Sequence, residues 1–191
     1  MINLHPHTPT IRHILALDNL LSTLSKWNIL DIPISGTGYA IIACEASALN
    51  RFNIGILTIS DLGAKGERVD TSGDRIKEMV HLIDGTTTKY TIIPDELDQI
   101  MLQLSAWADS GELDLILTTG GTGLGPRDVT PEATSQVIDK VVPGLPETMR
   151  SASVKNTPLG MLSRQIAGIR NKCLIINLPG SRGGVQDCLE S

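Results

Sequence analysis

Within residues 115–132, LILTTGGTGLGPRDVTPE, Thr119 and Thr122 carry hydroxyls and Gly120, Gly121, Gly123 and Gly125 leave the backbone unshielded. Arg127 and Asp128 bring a cation and a carboxylate to the mouth of the same turn. Glycine has no Cβ, so main-chain N–H groups of such a turn can close on an anion. The chemistry this suggests is capture of a phosphate or nucleotide. The spacing is G-G-x-G-x-G, which is neither the G-x-G-x-x-G of dinucleotide-binding folds nor the Gly-Lys-Ser/Thr ending of a P-loop. A tight strand-to-helix turn without a ligand is the plain alternative, and the glycines alone leave both open.

Other segments end on polar residues in a comparable way. TISD (58–61) offers Ser60 and Asp61, and IIPDE (92–96) offers Asp95. INLPGS (176–181) offers Asn177, Pro179, Gly180 and Ser181, a loop whose backbone nest plus hydroxyl can hold a phosphate. A helix after it would add its N-terminal dipole. Each residue also has a purely structural reading. Ser60 and Asp61 can end a strand in a turn. Asp95 can cap a helix after Pro94, and Asp128 can belong to a turn before Val129-Thr130. Arg127 can pair with phosphate, or stand exposed or carboxylate-paired. Ser163 and Arg164, in LSRQ (162–165), can reach a phosphate, or lie on a solvated helix face. His81 reads as a helix-surface residue without a role.

These endings need elements to bring them together. Residues 52–60 (FNIGILTIS) read as a strand followed by a polar, glycine-containing loop, DLGAKGERVDTSGD. A helix capped by Thr71-Ser72 carries Ile76, Met79, Val80 and Ile83 on one face. Residues 89–93 form a short strand closed by Pro94. Leu97, Ile100, Met101, Leu104 and Trp107 then recur at helical spacing. A strand over 113–119 delivers the glycine turn, and Thr130 at N-cap with Pro131 at N1 and Glu132 in the first turn opens another helix. A last strand over 173–178 runs into the PGS loop. Apolar strands alternating with amphipathic helices predict an α/β fold, a mainly parallel sheet with helices on both faces. Ligands in such sheets sit beyond the carboxyl ends of the strands, which is where all of these polar endings fall.

Composition narrows the function. The chain has 191 residues and a formal net charge of −5, which argues against nucleic acid or an anionic membrane as a general partner. Two Trp, two Tyr and one Phe are too few for a base-stacking platform. No apolar stretch approaches the roughly 20 residues needed to span a bilayer, and no secretory signal is evident. Cys44, Cys173 and Cys188 show no C-x-x-C spacing, so a disulfide framework or zinc site has poor support. A cytoplasmic location is expected. Residues 1–50 read as an N-terminal extension, with an amphipathic helix over Ile11–Leu24 and with His5 and His7 in a mobile terminus. The domain proper is expected over 51–191.

TISD, IIPDE, TTGGTGLGPRDVTPE, LSRQIAGIR and INLPGS, in this order and spacing, resemble the molybdopterin-binding MoaB/Mog family, which includes the G domains of gephyrin and plant Cnx. The long TTGGTG-x-x-x-RDVTP string is the most specific part, and the resemblance covers about residues 51–182. It implies a three-layer α/β core and a homotrimer. It also implies adenylylation of molybdopterin by ATP with Mg²⁺, releasing pyrophosphate, and a partner protein that inserts molybdenum. Asp95 and Asp128 match the family's catalytic aspartates and would hold Mg²⁺ as hard oxygen ligands. The N–H groups of Gly120–Gly123 with Thr119 and Thr122 would cradle phosphate. The sequence stops soon after the PGS motif, where family members continue through a longer final helix, which bears on trimer formation and pterin affinity. A molybdopterin carrier of the same fold and a scaffold module are the competing expectations.

Overall fold

The computed structural model describes residues Phe52–Ser191. The amphipathic helix, His5 and His7 of the expected extension lie outside the described residues.

The described residues form one six-stranded sheet in the order β2-β1-β3-β6-β5-β4. The strands are β1 (Phe52–Ile59), β2 (Gly85–Ile93), β3 (Leu115–Thr119), β4 (Lys140–Val141), β5 (Ala167–Arg170) and β6 (Cys173–Leu178). Pairings β1–β2, β1–β3 and β3–β6 are parallel, whereas β5 and β4 add an antiparallel edge. The helices are α1 (Asp61–Ala64), α2 (Thr71–Met79), α3 (Leu97–Asp109), α4 (Thr130–Val137), α5 (Gly144–Asn156) and α6 (Arg182–Leu189).

β3 and β6 are buried along their whole length, which is why both read as unbroken apolar runs rather than alternating ones. Side chains still alternate between faces. Leu57, Ile59, Ile116 and Ile175 meet Ile100, Leu104 and Trp107 of α3 and Ala133 and Val137 of α4 in one core. The opposite face is covered by α2, α5 and α6, which pack on one another and bury Ile76, Leu145, Met149 and Val185. Each such fully buried aliphatic side chain contributes about 1.5–3 kcal/mol relative to exposure.

Several boundaries differ from the expected ones: β2 starts at Gly85 rather than at residue 89, β3 at Leu115 rather than at residue 113, and α2 ends at Met79, with Val80–Ile83 in a 3₁₀ turn. The loop after β1 opens with the short helix α1, capped by Ser60, whose Oγ accepts from Gly63 N–H at 3.1 Å. α2 is capped by Asp70 rather than by Thr71-Ser72, and α4 starts at Thr130 with Val129 at N-cap. Among the described residues no helix is long and apolar enough to cross a membrane.

Candidate active site

β3 carries the glycine turn between the end of β1 and the start of α4. Gly120 (φ 102°) and Gly121 (φ 62°) take the left-handed conformations that strain other residues. A Cβ on Gly120 would press on the Ile59 carbonyl, and one on Gly121 would press on Thr130 Oγ1 and lie 3.2 Å from Asp95 Oδ1. Gly123 and Gly125 have a different reason. A Cβ at either would stand 2.9 Å from Asp128 Oδ2. That carboxylate folds over the turn and accepts the Gly125 N–H at 2.8 Å. Two of the glycines therefore make room for an aspartate as well as for any ligand. The N–H groups of Gly121, Thr122 and Gly123 make no hydrogen bond to another described residue.

A second pair of carboxylates meets the turn from β1 and β2. Asp61 N–H donates to Asp95 Oδ2 at 2.8 Å and Asp95 N–H donates to Asp61 Oδ1 at 3.1 Å, a reciprocal lock between two strand ends. Asp95 does not cap α3: the N-cap is Glu96, and it makes no side-chain cap. Arg127 donates from Nε to Asp61 Oδ2 at 3.1 Å and from Nη2 to Oδ1 at 2.8 Å, while Nη1 pairs with Glu96 Oε1 at 2.8 Å. Of the sequence alternatives for Arg127, this structure contains the carboxylate-paired one.

The electrostatics separate these groups. Hydrogen bonding from Arg127, then from the Asp95 N–H, holds the Asp61 carboxyl below the ordinary range. The same ion pairs with Asp61 and Glu96 raise Arg127. Asp95 moves the other way: burial raises it, the negative charges of Asp61 and Asp128 add to this, and the Asp61 N–H and Arg127 oppose it. Asp95 is thus a carboxylate whose ionised form the apo site tolerates poorly, and a bound cation would relieve that cost. Among the described residues, no three His, Cys, Asp or Glu side chains cluster as a metal site. Two carboxylates nevertheless fit Mg²⁺, which usually keeps waters and completes its shell with substrate phosphates.

Beside the turn lies a polar cleft of about 550 Å³ at the carboxyl ends of the parallel strands. Ser60, Asp95, Thr119, Gly120, Gly121, Asp128, Gly180 and Ser181 line it. Asp61, Thr122, Gly123, Arg127, Ser163, Asn177 and Pro179 do not. Thr119 Oγ1 donates to the Pro179 carbonyl at 2.7 Å and ties β3 to the PGS loop. Ser181 caps α6. Asn177 is fully buried, and its amide donates to Thr118 Oγ1 at 3.0 Å and to Thr134 Oγ1 at 2.9 Å, so it joins β6 to β3 and to α4 beneath the rim. Ser163 and Arg164 are on no helix face: they lie in the loop before β5, where Ser163 Oγ donates to Gln165 Oε1 at 3.0 Å.

The far wall of the cleft was not anticipated. Thr58, Arg68, Asp70, Ser72 and Arg182 also line it. The Asp70 carboxylate accepts from Thr58 Oγ1 and from Tyr90 OH at 2.9 Å, Ser72 Oγ at 2.9 Å and Gly73 N–H at 2.8 Å. One side chain so joins β1, β2 and α2. The available signal was position, because ERVDTSGD follows the carboxyl end of β1.

Residues 55–191 match the family model described as "Probable molybdopterin binding domain". A molybdopterin adenylyltransferase of Helicobacter pylori is 46% identical over 145 residues, covering 75% of this chain and 82% of that protein. The Escherichia coli molybdopterin adenylyltransferase is 39% identical over 146 residues, with 74% of each chain covered. The crystal structure of the molybdopterin biosynthesis enzyme MoaB from Thermus thermophilus superposes with a TM-score of 0.69 at 50% identity, over 73% of this chain and 87% of that one. The chain belongs to the molybdopterin-binding domain family of molybdenum cofactor biosynthesis.

Proposed function

We propose that this protein is a molybdopterin adenylyltransferase that uses ATP and Mg²⁺. The observation that carries the reading is the meeting of Asp95 and Asp128 with the glycine turn at one polar cleft. A terminal phosphate oxygen of molybdopterin attacks the α-phosphorus of ATP, a P–O bond forms, and the bond to pyrophosphate breaks. Two polyanions must approach, so the site must offset their repulsion and hold them in line. The N–H group of Gly121 at the cleft suits a phosphate oxygen, and Arg68 and Arg182 add positive charge along the cleft. Asp95 and Asp128 would hold Mg²⁺, which supplies charge neutralisation on the leaving pyrophosphate. Ser60, Gly180 and Ser181 complete the rim. Asp61, locked to Asp95, and Arg127 keep the acidic side in register.

We also propose a homotrimer, whose product passes to a molybdenum-inserting partner. Leu159, Met161 and Leu162 of the 3₁₀ turn Pro158–Leu162 are exposed by 72, 61 and 46% and Leu124 of the glycine turn by 68%, and the two segments are tied by the Arg164 N–H bond to Thr122 O. Large apolar side chains exposed like this favour a protein contact.

Purified protein with molybdopterin, ATP and Mg²⁺ is expected to release pyrophosphate and form an adduct heavier by one adenylyl group. Asp128→Ala should lower turnover by at least about 100-fold while leaving molybdopterin binding largely intact. Saturable binding without product would point to a carrier. Equal loss of binding and turnover in Asp128→Ala would sink the metal-centred role.

A further inference from the structure

The loop that carries Asp128 is gripped from outside the glycine turn by one side chain. Arg164 lies between the 3₁₀ turn Pro158–Leu162 and β5. Its N–H donates to the Thr122 carbonyl at 2.9 Å, its Nε to the Gly123 carbonyl at 2.7 Å, and its Nη2 to the Asp128 carbonyl at 2.5 Å. Nη1 pairs with Glu132 in the first turn of α4. A guanidinium presents its donors in a rigid planar fork. Bonds to carbonyls at both ends of a short turn therefore fix the separation of its two limbs. The rest of the turn closes on itself, with Asp128 N–H on the Gly125 carbonyl at 3.0 Å and Gly125 N–H on Asp128 Oδ2 at 2.8 Å. Arg164 does not line the cleft, and all three guanidinium nitrogens already have partners. It is therefore poorly placed to take a phosphate.

We propose that Arg164 is a positioning residue: by clamping the carbonyls of Gly123 and Asp128 it sets where the Asp128 carboxylate presents itself to a divalent cation. The inference rests on the transferase reading for its consequence in turnover, but the clamp itself is a property of the turn. A lysine carries the charge without the fork, so it cannot bond both carbonyls in the same way.

The test uses the full chain as Arg164→Lys and Arg164→Ala. Amide hydrogen exchange at Gly125 and Asp128 reads the turn, Mn²⁺ binding by electron paramagnetic resonance reads the cation site, and turnover is followed against Mg²⁺ concentration. Both variants should speed Gly125 exchange and weaken Mn²⁺ binding and half-saturation by Mg²⁺, on the order of 10- to 100-fold as for other groups that orient metal ligands. Molybdopterin affinity should stay within about twofold, because no contact to it is removed. If Arg164→Ala does not fold, Arg164→Lys carries the test. Unchanged Gly125 exchange and cation affinity in a folded variant would overturn the proposal. So would molybdopterin affinity that falls in step with turnover while the turn stays protected, because Arg164 would then touch substrate. Should the wild-type chain form no adenylylated product, the transferase reading falls alone, and exchange and Mn²⁺ affinity still decide the role of Arg164.

Discussion

Asp95 and Asp61 are bonded to each other, yet their surroundings push them in opposite directions. Burial raises the Asp95 carboxyl, with Asp61 and Asp128 adding to it, so the folded state binds that proton more tightly than the unfolded chain does. Its contribution to stability therefore falls as pH rises from the ordinary value of 3.8 through the raised one. At neutral pH the ionised group is a local liability, of the kind active sites keep for function. Asp95→Asn keeps an acceptor for the Asp61 N–H and removes the charge. It should raise the melting temperature of the metal-free protein by roughly 2 °C while abolishing turnover. Calorimetry and the pyrophosphate assay on the same sample check this, and a lower melting temperature would contradict the assignment. The same direction predicts that, at limiting Mg²⁺, cation binding has an acid limb above that of an ordinary aspartate, because a proton competes with the cation at Asp95. Asp61→Asn removes a facing charge and should move that acid limb to lower pH.

Among the elements, those built from strong periodic signals were legible in the sequence. β1, β3, α3 and β6 carry runs such as NIGILTI and CLIINL, and their polar ends led correctly to one sheet rim. β4 and β5 have two and four residues and offered no period to read. α5 begins at Gly144 and buries Pro146 and Ser153 beside Leu145 and Met149, which blurs its helical pattern. At the site, Asp95 lines the cleft from the end of β2 and Asp128 from the turn that follows β3. The partnerships of Arg127, Asn177 and Arg164 were not legible, because each joins residues 30 or more positions away and no local pattern encodes that. The network of Asp70 was hidden for a related reason: its helix cap is local, but its bonds to Thr58 and Tyr90 reach 12 and 20 positions along the chain. The net pKa of Asp70 is lowered: burial opposes this, but bonds from Thr58, Gly73, Tyr90 and Ser72 outweigh it. Its stabilisation is thus present above 3.8 and lost as pH falls through the depressed value. Asp70→Ala removes a helix cap and strands the Thr58 and Tyr90 hydroxyls, and should destabilise the fold by about 2–4 kcal/mol in urea titrations. A change below about 0.5 kcal/mol, typical of an uninvolved surface site, would show that the network carries no weight.

At the scale of the whole molecule, the exposed apolar loops predict assembly. Leu159→Glu with Met161→Glu should shift the mass measured by light scattering from trimer to monomer, and a monomeric wild-type protein would refute the assembly outright. The glycine turn separates two kinds of selection on the molecule. Gly123 and Gly125 have ordinary backbone angles, and the nearest obstacle to a methyl group at either is the mobile tip of the Asp128 side chain. Alanine there can be accommodated by displacing that carboxylate, at small cost to folding. A library sorted for expression or heat resistance would pass such variants as wild type, whereas a library sorted for growth on a molybdoenzyme would discard them. Their intolerance is also conditional. Once Asp128 is itself replaced by alanine, the two glycines have no carboxylate to shelter, and substituting them should add nothing to the loss that Asp128→Ala already causes.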